Sequence, residues 1–302
     1  MPVPASHREA QASRGKSAVV HGRLAAAASG VCFGALGIFG MAAYRDGADI
    51  LGLLPLRFLA AGVVLALAAW RIGERRPGVR SLLACLALGG AGYFTFTLLF
   101  FSTLRHASPG ITALLLYLNP FIVFAWSVAL GWEKFRIGAL STLGVAVGGL
   151  ALVLIDGAAS RLGIALGVLT AVCYGTYLVV SARILHDLPP LASTALICLG
   201  AGVVAAIAAG VVGGEPPHTA GGWRALAGIA LVSTVLALGF LTLALQRIPP
   251  SEVAIIMTLE PITAVILSAI VLDQAFTLTQ VLGAAITLAA CALFLRRRYA
   301  AT

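Results

Sequence analysis

Ten apolar runs of about twenty residues each divide the chain, separated by short clusters of charged and turn-forming residues. The runs lie near 24–44, 50–70, 81–104, 109–131, 137–155, 162–183, 189–213, 224–246, 251–272 and 276–295. Crossing the hydrocarbon core of a bilayer takes about twenty apolar residues of helix. No gap between the runs is long enough for a separate domain. The sequence therefore predicts an all-α membrane protein with ten transmembrane helices.

The composition excludes a soluble protein. Hydrophobic residues make up 60% of the 302 residues and charged residues 10%, against about 45–50% and about 25% in soluble domains. The five cysteines lie inside apolar runs without a Cys-x-x-Cys pair, so we predict no disulfide framework and no metal site. The net charge of +9 does not indicate a nucleic-acid partner, because the basic residues lie in short gaps between the runs.

The distribution of Lys and Arg predicts the orientation, because cytoplasmic loops carry an excess of these residues. With the N-terminus inside, fifteen of them lie in the tails and cytoplasmic loops and four in the outer loops, while Arg57 lies within the second span. We therefore expect both termini to be cytoplasmic, with tails at 1–23 and 296–302.

The two halves of the chain align at a constant offset of 141 residues. Each half, 24–155 and 162–295, contains five runs, and an odd number makes the two copies face opposite ways. Inverted repeats of this kind are typical of secondary transporters, which bind substrate near the membrane midplane where the repeats meet. The offset superposes 31–34 (VCFG) on 172–175 (VCYG), Pro109 on Pro250, and Pro120 on Pro261.

These features resemble the drug/metabolite transporter superfamily, in its EamA branch. The patterns that carry the resemblance are Ser108-Pro109, Leu118-Asn119-Pro120, Glu133 and Arg57 in the first half, and Pro250, Leu259-Glu260-Pro261 and 280–283 in the second. The sequence departs from the family at Gln274, where an acid like Glu133 is common. It is most similar to the YddG-type amino-acid exporters. That resemblance implies export of aromatic or other neutral amino acids and related small metabolites across a bacterial inner membrane.

Two charged residues lie within predicted spans, where charge is costly and usually functional. Glu260 lies midway along the ninth span and is a candidate to bind a proton or a substrate amine. The alternatives are an ion pair with Arg57 or a hydrogen bond to backbone freed by Pro261. Arg57 either contacts substrate, or fixes helix packing, or extends toward the interface.

Pro120 and Pro261 are predicted to kink their helices and act as hinges, because proline removes one intrahelical hydrogen bond. An inherited shape without motion is the alternative. Asn119 and Glu260 precede these prolines and are predicted to face one cavity, although an asparagine can also join two helices. Aromatic residues within the spans either bind an apolar substrate group or pack helices: Phe33, Tyr93, Phe96, Phe100, Tyr174 and Tyr177.

Pairs of glycines four residues apart predict close helix contacts, at Gly30/Gly34, Gly144/Gly148 and Gly163/Gly167.

We expect a secondary transporter that works by alternating access and has no cofactor. ATP does not drive transport within this chain, because no Gly-rich loop ends in Gly-Lys-Ser/Thr. Its partners would be a small-molecule substrate, the lipid bilayer and, if Glu260 titrates, protons. One alternative is a multidrug or other metabolite carrier of the same fold. The other is an intramembrane enzyme acting on lipid, which is disfavoured because all five histidines lie in loops or at span ends.

Overall fold

The computed structural model describes residues 5–132, 134–135, 137–154, 159–185, 187–248 and 250–299. Within these ranges the chain is almost entirely helical and forms no strand, apart from an isolated bridge between Ala107 and Ala159. Glu133, which contributes to the resemblance described above, lies outside the described residues.

The helices of the first half follow the first five predicted spans. They are Ala5–Gly34 with Leu36–Arg45, Ile50–Arg71, Val79–Ala87 with Phe94–Leu104, Pro109–Leu116 with Asn119–Ala129, and Ile137–Leu154. The first helix begins well before the apolar run at 24, so the described part of the predicted tail at 1–23 is helical.

The helices of the second half follow the last five predicted spans. They are Arg161–Ile184, Pro190–Val212, Ala220–Ala227 with Ala237–Leu245, Pro250–Ile256 with Leu259–Val271, and Leu278–Tyr299. Nine helical stretches of the described chain are long and apolar enough to cross a membrane. The fifth span, Ile137–Leu154, has 18 residues, or about 27 Å of helix. The predicted all-α membrane fold is confirmed.

The internal repeat is visible in the irregular parts of the helices. The third and eighth spans are each interrupted by a π-helical segment, Leu88–Tyr93 in one and Gly228–Leu236 in the other. These segments coincide under the offset of 141 residues. Single π-helical turns occur often at functional sites, so the space beside the two segments is a candidate site.

The second and seventh spans pack side by side in opposite directions. The Glu74 carboxylate, which follows the second span, accepts hydrogen bonds from Leu191 N (3.2 Å) and Ala192 N (2.7 Å), where the seventh span begins. The Glu215 carbonyl oxygen, which follows the seventh span, accepts from Asp49 N (3.0 Å), just before the second. Glu74 and Glu215 are repeat equivalents. Each repeat therefore contacts the beginning of its partner's helix, as an inverted arrangement requires.

Close helix contacts occur at only some of the predicted glycines. A Cβ on Gly34 would lie 2.6 Å from the Glu260 carbonyl oxygen, and one on Gly163 would lie 2.7 Å from that of His106. The prediction for Gly144 and Gly148 was wrong, because both glycines face open space. The fifth and tenth spans instead meet at the neighbouring Gly149, where a Cβ would lie 2.7 Å from the Gly283 carbonyl oxygen.

Candidate functional site

A cavity of about 390 Å³ lies between the two repeats. Its volume falls in the range of roughly 300–1,000 Å³ that is usual for small-molecule sites. Arg57 and Glu260 line it, and it extends to the helix ends at Leu185, Pro190 and Leu245. Pro190 precedes Leu191 and Ala192, whose N–H groups donate to the Glu74 carboxylate, so the cavity reaches the end of the bundle that carries the arginine-rich loop after the second span.

Residues from both repeats line this cavity at equivalent positions. Six pairs separated by 141 residues all contribute to its wall: Phe33 and Tyr174, Leu36 and Tyr177, Arg57 and Cys198, Thr97 and Leu238, Phe100 and Leu241, and Leu116 and Met257. The cavity therefore lies on the axis that relates the two repeats, the usual place for the substrate site of an inverted-repeat transporter.

Aromatic rings form one continuous wall of the cavity. Tyr174 stacks on Phe96 with ring centroids 4.3 Å apart, and Tyr93 lies 5.5 Å from Tyr177. The hydroxyl groups of these three tyrosines bond to no other residue in the described part of the chain. Because a buried tyrosine hydroxyl usually has a partner, all three are available to water or to a bound molecule.

Arg57 is almost completely buried, with 1% of its surface exposed. Its Nε donates a hydrogen bond to Thr234 Oγ1 at 3.0 Å, and the guanidinium lies over the rings of Phe58 and Phe101, 5.0 and 5.6 Å from their centroids. Nη1 is buried and has no acceptor among the described residues. The side chain therefore does not extend to the interface, and it keeps one donor free.

Glu260 lies in the first turn of helix Leu259–Val271 and is half-buried. Its carboxylate forms no hydrogen bond or ion pair with any residue that the structure describes. The alternative of an ion pair with Arg57 is therefore not realised, although both side chains line the same cavity. Glu260 supplies an acid that is free to meet a ligand or water.

Both prolines mark short breaks in their spans. Helix Pro109–Leu116 ends before Pro120, and Tyr117 and Leu118 form a tight turn with hydrogen bonds of three-residue spacing, such as Leu118 N to Leu115 O at 3.1 Å. The ninth span breaks in the same way at Met257 and Thr258. Each of these spans therefore consists of two helices joined by a tight turn. Pro120 and Pro261 lie in the first turn of the helix that follows this break.

The two breaks satisfy the freed carbonyl oxygens differently. Asn119 Nδ2 donates to Leu116 O at 2.8 Å, the carbonyl that Pro120 cannot bond. In the other repeat Glu260 uses its backbone N–H to reach Met257 O at 2.9 Å. The Asn119 amide is therefore engaged by its own backbone, while the Glu260 carboxylate stays free.

A second cavity of about 330 Å³ adjoins the first. Asn119 and Pro120 line this second space and not the first one, and Glu260 and Tyr174 line both. The structure thus brings seven of the eight predicted substrate-binding residues to the main cavity, together with Arg57. Asn119 is the exception, and Pro261 is buried outside both walls.

Thr234 is a site residue that the sequence analysis missed. It lies in the π-helical segment Gly228–Leu236, where its hydroxyl donates to Ile229 O at 2.9 Å and accepts from Arg57. Thr234 is the repeat equivalent of Tyr93. That equivalence to a predicted site residue is the signal in the sequence that identifies it.

The opposite end of the bundle is closed by contacts between loops. Asp46 accepts hydrogen bonds from the Thr219 hydroxyl, from Thr219 N (3.0 Å) and from His218 N (2.8 Å). These bonds, that of the Thr219 hydroxyl first, lower the pKa of Asp46. Gln274 Nε2 donates to Ser108 Oγ at 3.0 Å on the same side. Among the described residues, the helix ends that line the cavity all lie at the other end of the bundle.

An inverted pair of five-helix repeats around a shared central cavity defines a multi-pass membrane transporter. The EamA-like transporter family matches residues 21–155 and 161–296, and the chain belongs to that family. Since the family and its named relatives are transporters, the alternative of a lipid enzyme is excluded.

Individual relatives share about a quarter of their residues with this chain. The uncharacterized transporter YyaM of Bacillus subtilis (strain 168) is 26% identical over 242 residues, covering 76% of this chain and 79% of its own. An uncharacterized transporter of Archaeoglobus fulgidus is 26% identical over 272 residues, covering 89% and 94%. A crystal structure that is 20% identical has a TM-score of 0.63 and covers 95% of this chain and 99% of its own, which shows a shared fold.

Proposed function

We propose that the chain exports neutral amino acids, including aromatic ones, and related small metabolites by alternating access. The observation that carries this proposal is that Glu260, whose carboxylate has no partner among the described residues, and Arg57, whose Nη1 has none, line the same aromatic cavity. An amino acid presents an ammonium group for Glu260, a carboxylate for Arg57 and an apolar side chain for the rings. Hydrogen bonds to ionised groups are roughly twice as strong as neutral ones.

The direction of transport rests on the predicted orientation. The cavity reaches the end of the bundle near Glu74, where Arg71, Arg75, Arg76 and Arg80 lie. If this end is cytoplasmic, as the basic residues predict, the described state is open to the inside and closed to the outside. A bacterial plasma membrane is the setting that agrees with such an exporter.

Reconstituted protein tests the proposal directly. We expect purified protein in liposomes to move radiolabelled phenylalanine or leucine down its gradient. Aspartate and lysine should move more slowly, because each carries a charge that the cavity does not balance. Empty vesicles are the control. Uptake of no amino acid above the empty-vesicle level would contradict the proposal. Preferential uptake of a cationic dye or a nucleoside in a competition panel would favour another cargo.

Tyr174→Trp is expected to change substrate preference more than overall activity. Tyr174 stacks on Phe96 and lines both cavities, so a larger ring should slow phenylalanine several-fold more than alanine. Relative uptake rates across a panel of neutral amino acids measure the change. Phe135→Trp is the matched control, because Phe135 is 62% exposed and lines neither cavity. Equal ratios in both variants would place Tyr174 outside the substrate path.

A further inference from the structure

A groove of about 520 Å³ lies on the outer surface of the bundle, apart from the central cavity. It runs between the second and seventh spans, near the end at which Glu74 contacts the seventh span. Val63, Leu67 and Leu199 line its apolar part. Val63 and Leu67 are more than half exposed, so they face the lipid.

The mouth of the groove carries positive charge that the protein does not balance. Arg75 and Arg76 line the mouth, and Arg71 and Arg80 lie close in sequence. None of the four forms an ion pair or hydrogen bond with another described residue. Glu74, the acid between them, directs its carboxylate at the backbone of Leu191 and Ala192. The guanidinium groups therefore remain available to an anion.

The groove has a charged mouth and an apolar length, which match the charged headgroup and the apolar acyl chains of a phospholipid. Trp70 also lines it and is 64% exposed, which suits the level of the lipid headgroups, where tryptophan is enriched. The equivalents of the four arginines in the second repeat are Val212, Pro216, Pro217 and Gly221, so the charged mouth exists at one end of the bundle only.

We propose that this groove binds one anionic diacyl phospholipid. Its phosphodiester lies against Arg75 and Arg76, and one acyl chain lies along Val63, Leu67 and Leu199. Basic pockets between transmembrane helices bind anionic headgroups in this way, and each basic residue near the surface contributes about 1 kcal/mol, or roughly fivefold in affinity. The occupant would brace the second span, which carries Arg57, against the seventh, which carries Cys198.

Native mass spectrometry of the full-length protein in detergent tests this site. Phosphatidylglycerol and phosphatidylcholine with identical acyl chains are the probes. We expect tight binding of one phosphatidylglycerol and much weaker binding of phosphatidylcholine. The double variant Arg75→Gln and Arg76→Gln should bind phosphatidylglycerol about 30-fold more weakly. Leu67→Trp, which fills the groove and keeps every charge, should also lose the lipid.

The matched control removes the same charge elsewhere. Arg296→Gln with Arg297→Gln changes two exposed arginines at the end of the tenth span and should leave binding unchanged. Equal losses in both double variants, or equal affinity for the two lipids, would overturn the proposal. Displacement of the lipid by inorganic phosphate, with normal binding to Leu67→Trp, would also overturn it, because a headgroup-only site needs no groove. If the variant with Arg75→Gln and Arg76→Gln does not fold, binding of phosphatidylglycerol to Leu67→Trp is the deciding measurement, and normal binding there would overturn the proposal.

Discussion

Glu260→Gln is expected to reduce uptake of neutral amino acids at least about 30-fold in liposomes. The carboxylate has no partner among the described residues and faces the cavity, so a bound ammonium group would be its counter-charge. Losing one member of a buried charged pair costs about 2–5 kcal/mol or more. Glutamine keeps the shape of the side chain, so the loss reports the charge. Initial rates of radiolabelled uptake measure it.

Proton coupling through Glu260 is tested in the same vesicles. If each exported substrate exchanges for a proton, an acidic lumen should accelerate uptake by the unchanged protein and leave the variant unaffected. Asp46 does not interfere, because its pKa is lowered. Its hydrogen bonds persist at neutral pH and are lost only as the pH falls through that lowered value.

The control for both measurements is Glu252→Gln. Glu252 lies in the same span and forms a partly exposed ion pair with Arg23, and such pairs are worth about 0–1 kcal/mol. We expect its uptake to stay close to that of the unchanged protein. Normal, pH-independent uptake by Glu260→Gln would show that this residue neither binds substrate nor carries protons. Slow uptake that still responds to pH would assign it substrate binding alone.

The sequence predicted well the features that depend only on the order of residues along the chain. The spans follow from the length of apolar runs, and the repeat follows from one offset. Phe33 and Tyr174, which are repeat equivalents, line the same cavity. Glu260 and Arg57 could be chosen because charge within a span is rare enough to examine residue by residue.

The features that sequence did not predict depend on how each helix is rotated. In a soluble helix the buried face is marked by a hydrophobic period, but a helix in lipid is apolar on every side. Gly148 and Gly149 therefore look equivalent, yet only Gly149 meets another helix. The Asn119 amide is held away from the main cavity by its hydrogen bond to the Leu116 carbonyl oxygen, which Pro120 leaves without a backbone donor. The partnership of Thr234 with Arg57 joins residues 177 positions apart.

Gly34→Val is expected to have the second large effect, on both stability and transport. The first span crosses the ninth where Glu260 begins its helix, and a Cβ at Gly34 would lie 2.6 Å from the Glu260 carbonyl oxygen and 2.7 Å from Thr263 Cβ. A backbone atom cannot rotate away, so the helices must separate. Overpacking costs about 1–3 kcal/mol or more, which corresponds to a fall of roughly 2–5 °C or more in the thermal midpoint.

Two further glycine-to-valine variants, at Gly175 and Gly144, are the controls for this prediction. Gly175 is the repeat equivalent of Gly34, and a Cβ there would meet Ile122 Cβ at 2.8 Å and the Asn119 carbonyl oxygen at 3.2 Å. Since the nearest backbone atom is farther away than at Gly34, 3.2 Å against 2.6 Å, Gly175→Val should be milder. Gly144 faces open space, so valine there should not lower the midpoint, because valine also favours helix over glycine. Thermal midpoints in detergent and uptake rates should both be lowest for Gly34→Val, higher for Gly175→Val and highest for Gly144→Val.

If Gly144→Val were as damaging as Gly34→Val, the loss would come from changing any glycine within a span. The contact that places Glu260 against the first span would then not be its cause.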